Sequence, residues 1–92
     1  MRTLNELYLL LWEYIKDMEE LDEGLCIYLH WIEVERIITT EEYMIIYRHF
    51  RDNKPKLNMN YFPFCFPNGE TGTKQRKEFV LSMIEKTKQH GC

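Results

Sequence analysis

The sequence predicts an all-α fold, a small four-helix bundle with one long aromatic, proline- and glycine-bearing loop before the last helix. Three observations carry that expectation. Apolar residues recur at helical spacing in four separate segments. Two of those segments open with a threonine followed three residues later by glutamate. The one stretch that alternates like a strand, Ile32 to Ile38, has no partner with which to build a sheet. With 92 residues, 45% of them hydrophobic and 14% aromatic, the chain is expected to form one domain over residues 1–92 with a single core. That composition excludes a disordered chain.

Thr3-x-x-Glu6 reads as a capping box, and Leu4, Leu7, Tyr8, Leu11, Tyr14, Ile15 and Met18 then recur for about four turns. Leu9 and Trp12 fall off that stripe and call for cover from other helices or another subunit. Asp22-Glu23-Gly24 interrupts the pattern. From Leu25 to Ile38, positions 25, 28, 29 and 32 form one apolar stripe and 27, 31, 34 and 38 another, so the second helix is expected at the centre of the bundle. Cys26, inside this apolar run, is expected in the core.

Thr39 and Glu42 form the second capping box, with Ile38 placed to staple onto Tyr43. The third helix should run to about Asp52, burying Tyr43, Ile46, Tyr47 and Phe50 and leaving Arg48 and Arg51 in solvent, before Asn53-Lys54-Pro55 ends it. From Pro55 to Thr73 three prolines, two glycines and a run of aromatics predict a loop. The last helix is expected from Lys74 to about His90, with Phe79, Val80, Met83 and Ile84 inward.

Charge and cysteine content narrow the functional classes. Residues 1–53 hold 5 basic and 12 acidic side chains, and residues 54–92 hold 7 and 3, so the halves carry −7 and +4. An acidic majority argues against duplex nucleic acid as a partner. The opposite signs favour docking of one half on the other, within a molecule or between copies. Cys26, Cys65 and Cys92 are odd in number and show no C-x-x-C spacing, and His30, His49 and His90 fall at no ligand spacing; neither a disulfide framework, a metal site nor a cofactor is expected. No apolar run reaches the roughly 18 residues of a membrane span, and the first residues are amphipathic rather than signal-like, which places the protein in the cytoplasm. Nucleophile elbows, H-E-x-x-H and paired acid–base residues are absent from the sequence, so a binder is expected rather than an enzyme.

Two stretches could hold a ligand. Asn68 to Arg76 sets two glycines and two hydroxyls before a helix start, where free N–H groups and the helix dipole favour an anion, with Thr73, Lys74 and Arg76 as contacts. Its bland alternative is a turn with Thr71 or Thr73 as N-cap. In Tyr61 to Pro67 the prolines fix aromatic faces that could stack on a base, with Tyr61 and Phe64 as candidates, or pack on the bundle instead. Arg48 and Arg51 add two further cations, or are simply solvated. Together these residues suggest a binder of a small phosphorylated nucleotide. The rival is a protein-binding inhibitor presenting Glu19, Glu20, Asp22, Glu23, Glu33, Glu35, Glu41 and Glu42 as an acidic surface; a small hydrolase comes third.

Gly24-Leu25-Cys26, Ile38 to Tyr43, Asn60-Tyr61-Phe62-Pro63 and Arg76-Lys77-Glu78-Phe79-Val80-x-x-x-Ile84 form one ordered set. Over residues 24–84 this set resembles a group of short phage-encoded proteins with a G-L-C segment, a threonine-capped E-E-Y helix, an aromatic-proline loop and an arginine-bearing last helix. The chain departs from that pattern at Phe64-Cys65-Phe66 and Glu70 to Thr73. The resemblance implies a phage accessory protein in the bacterial cytoplasm, of the kind that blunts host defence. One such strategy is a homo-oligomeric sponge that sequesters a nucleotide immune signal; another is inhibition of a host defence protein.

Overall fold

The computed structural model describes residues 1–21, 23–53, 66 and 69–89, the last without its side chain. Four helices and no strand occur among them: α1 (Leu4–Ile15), α2 (Leu25–Val34), α3 (Thr40–Asn53) and α4 (Gly69–Gln89). Both capping boxes form. Thr3 Oγ1 accepts the Glu6 N–H at 3.2 Å and Glu6 Oε1 accepts the Thr3 N–H at 2.9 Å, while Thr39 and Glu42 repeat the exchange at 3.1 and 2.9 Å.

The bundle is organised around α1, not α2. Leu7, Tyr8, Leu11 and Ile15 have no exposed surface, and α1 packs against each of the other three helices. It runs antiparallel to α4. At one end the Asn5 side-chain amide donates to the Ile84 carbonyl at 2.8 Å, and at the other Lys77 Nζ donates to the carbonyls of Lys16 and Met18 at 3.2 and 2.7 Å. Those carbonyls have left the helical ladder, so α1 stops at Ile15 rather than continuing to Met18, and a cation from α4 satisfies its end.

Of the two apolar stripes, the first is buried, with Leu25, Tyr28, Leu29 and Ile32 facing the core; the second divides, Trp31 and Val34 being 48% and 52% exposed and Ile27 half-buried, while Ile38, beyond the helix end, is buried in the core. Cys26 is also exposed, a correction to its expected place in the core. The helix ends at Val34 because Arg36 takes a left-handed conformation (φ 61°). The Ile37 N–H then reaches the Ile32 carbonyl and the Arg36 N–H the Glu33 carbonyl, both at 2.9 Å. This is a Schellman closure with arginine where glycine is usual, which is why the sequence reads as helical through to Ile38. Replacing Arg36 by glycine removes the left-handed penalty, and chemical denaturation should show a gain of about 0.5–1 kcal/mol.

The last helix begins at Gly69, five residues before the sequence pattern suggests. Gly69 has φ 88°, and Thr73 Oγ1 donates to its carbonyl at 3.0 Å while accepting the buried Leu21 N–H at 2.9 Å. Two glycines and two threonines have low helix propensity. The long-range bond to Leu21 compensates locally, a tertiary effect with no signature in residue spacing.

Candidate functional site

The residues singled out by sequence separate into three groups. Arg76 and Thr73 lie inside: Arg76 has no exposed surface and Thr73 is 6% exposed. The Arg76 guanidinium donates from Nη2 to the Phe66 carbonyl at 3.4 Å and sits 5.7 Å from the centroid of the Phe66 ring. Phe66 in turn packs against Phe79, and Phe79 edge-on against Phe50. In this structure, therefore, Arg76 and Thr73 join α4 to the core and to the segment after α1. Lys74, Arg48 and Arg51 face solvent, Lys74 on α4 and the arginines on α3, with Arg51 Nε 3.7 Å from Asp52. Tyr61 and Phe64 lie outside the described residues. The described members of the set are thus not gathered on one surface.

A different constellation is gathered, along the side where α2 meets α3. His30 lies 6.5 Å from Trp31 and 6.3 Å from Tyr43, ring centre to ring centre, and Tyr43 stacks on Tyr47 at 5.7 Å. All four rings reach the surface: His30 and Trp31 are exposed, Tyr43 and Tyr47 half-buried. Glu33 Oε1 is 3.6 Å from His30 Nδ1, and the Tyr43 hydroxyl is raised above its usual pKa, first by burial and then by the nearby Tyr47, Cys26 and Glu33. The row therefore continues over Val34 and Cys26 on α2 and, by helical spacing, meets Arg51 one turn beyond Tyr47 on α3. Sequence reading assigned Tyr43 and Tyr47 to the core and gave His30 no role. The available signal was an excess: α2 is apolar on two sides, and a bundle this small covers only one.

The acidic side chains are less uniform than their sequence suggests. Glu19, Glu20, Glu23, Glu35 and Glu41 are exposed and Glu33 is half-buried; Asp22 lies outside the described residues. Glu42 corrects the expected exposed set, being 3% exposed. Its carboxylate accepts from the Thr39 N–H, the Arg2 N–H and Arg2 Nη1 at 2.9, 3.0 and 3.0 Å. The Thr39 N–H foremost and the Arg2 N–H next hold the Glu42 carboxyl below its usual pKa of 4.5, against the upward pull of burial. Beside this bond lie two open depressions sharing Arg2 and Glu6: one of about 690 Å³ that Met1, Thr39, Glu41 and Glu42 also line, and one of about 240 Å³ completed by Leu9, Leu10 and Glu13.

Because the unfolded chain takes up a proton at Glu42 before the folded one does, this bond adds stability above pH 4.5 that is lost as pH falls through the depressed folded value. Glu42→Gln should lower the melting temperature at neutral pH and shrink the difference between neutral and acid melting temperatures, a comparison that scanning calorimetry makes directly.

Tyr8 and His49 tie α1 to α3 inside the bundle. The Tyr8 hydroxyl and His49 Nδ1 are 2.8 Å apart, a hydrogen bond whose direction follows the imidazole tautomer, and burial pushes the Tyr8 phenol well above its ordinary pKa. Among the described residues no group of three His, Cys, Asp or Glu could hold a metal ion, and no helix is long and apolar enough to cross a membrane. Comparison of the chain with protein-family models, with curated proteins and with solved structures finds no match.

Proposed function

We propose that the chain acts by binding another protein rather than by transforming a substrate, and that the aromatic row of α2 and α3 is the contact surface. The observation that carries this reading is the ladder Trp31–His30–Tyr43–Tyr47, reaching solvent and bordered by Val34 and Arg51. Trp, Tyr and Arg are the residues most enriched among those that dominate protein-binding energy, since they offer large rigid contact area with a polar tip. A 92-residue chain has little apolar surface to spare for the outside, so leaving a tryptophan half in water is costly unless something covers it. The resemblance to short phage proteins suggests a host defence protein as partner, with Glu33 and Glu35 of the α2 end favouring a basic rim on it.

Photo-crosslinking tests this reading. A benzoylphenylalanine at position 31 should capture a protein in producing cells at a defined mass, while the same probe at the exposed Gln75 of α4 should not. Equal capture from both positions, or none from position 31, would count against it.

Sequestration of a small phosphorylated nucleotide is the second reading. It is favoured by the exposed Arg51 one turn beyond Tyr47, with Arg48 exposed on the neighbouring face of α3. Its signature is thermal: a cyclic nucleotide at 100-fold excess over Kd should add about 2.7 kcal/mol of stability. Absence of any shift across such nucleotides leaves the protein-binding reading alone.

A further inference from the structure

The outer side of α3 carries a pattern that matches itself when reversed. Glu41, Met44, Ile45 and Arg48 stand at spacings of three, four and seven residues and so share one face of the helix. That face is turned away from the core-facing Glu42, Ile46 and Phe50. Glu41 and Arg48 are exposed, and Met44 and Ile45 are 42% and 37% exposed. Neither charge has an ion-pair partner among the described residues. The order along the helix is anion, two apolar groups, cation.

We propose that this stripe is a dimer face for a second copy of the chain, formed by two α3 helices packed antiparallel about a two-fold axis. In that arrangement Met44 and Ile45 of one copy meet Ile45 and Met44 of the other, and Glu41 stands opposite Arg48 of the second copy at both ends. A two-fold interface must be complementary to itself, and a stripe with opposite charges at equal distances from an apolar centre satisfies that requirement. Parallel packing would set Glu41 on Glu41 and Arg48 on Arg48, so the charges also choose the direction. Spanning 14 residues, α3 is about 21 Å long, enough to place both ion pairs within one helix–helix contact. The stripe is built on α3 alone, and the proposal stands whether or not the aromatic row binds a protein.

Charge reversal tests it by sedimentation velocity at protein concentrations up to about 0.5 mM. The wild-type chain should sediment as a dimer. Glu41→Arg sets cation against cation at both ends and Arg48→Glu sets anion against anion, so each variant alone should sediment as a monomer. An equimolar mixture of the two restores both opposite-charge pairs and should sediment as a dimer. If circular dichroism shows that Glu41→Arg disturbs α3, Met44→Lys serves in its place as the single disrupting variant, again with a monomer expected. A wild type that is monomeric throughout, a dimer that survives Arg48→Glu and Met44→Lys, or a folded mixture that stays monomeric would each overturn the proposal.

Discussion

Arg76→Ala is expected to destabilise the fold by about 2–4 kcal/mol, although the sequence pattern offers this arginine as a ligand contact at a helix start. Its side chain has no exposed surface, so truncation leaves a void the length of an arginine rather than a vacancy that water fills without cost. The Phe66 carbonyl loses its 3.4 Å donor and the Phe66 ring loses the cation beside it. Phe66 reaches the core through Phe79, which touches Phe50, so the loss extends into the packing of α3 and α4. For a chain of this size each kcal/mol moves the melting temperature by about 4–8 °C, and the expected drop exceeds 10 °C. Arg76→Lys should recover only part of it, because an ammonium keeps the charge but not the planar stack. Were Arg76 reserved for a ligand, truncation would abolish binding and leave the melting temperature nearly unchanged.

Leu11→Ala is expected to cost about 2–5 kcal/mol in chemical denaturation, a large part of the roughly 5–14 kcal/mol that holds a 92-residue domain together. Leu11 has no exposed surface and sits on the helix that packs against the other three. In a close-packed interior the surroundings of a truncated side chain relax only in part, so most of the cavity it leaves persists. Leu9, two residues earlier and 42% exposed, is the control: Leu9→Ala should change stability by less than about 0.5 kcal/mol. A comparable loss at both positions would mean that α1 is not the hub of the bundle.

The fold was legible in the sequence wherever the forming interactions are local. Thr3 with Glu6 and Thr39 with Glu42 sit three residues apart, and both boxes formed as their spacing implies. Legibility failed where a distant partner decides the outcome. The start of α4 depends on Thr73 meeting Leu21 across 52 residues, and the end of α2 on a left-handed arginine that no composition rule anticipates. Arg76 escaped because its stem is long and apolar enough to enter the core while its cation finds a ring and a carbonyl there. Cys26 misled in the opposite direction: it stands in an apolar run between Leu25 and Ile27, but its own position falls on the side of α2 that the bundle leaves uncovered.

The same surplus accounts for the candidate surface. Periodicity marks Ile27, Trp31 and Val34 as an apolar stripe without saying what covers it, and Tyr43 and Tyr47 as inward without saying how far. Only the packing of α2 on α3 reveals that His30 bridges the two sets into one ladder.

The central claim is that this ladder binds a protein, and calorimetric titration of the photo-captured partner with wild type and with Trp31→Ala/Tyr47→Ala tests it most directly. Each anchor of this kind is worth at least about 2 kcal/mol, so the double variant should bind at least about 100-fold more weakly while its melting temperature stays within a few degrees of wild type. An unchanged affinity in a fully folded double variant would contradict the account.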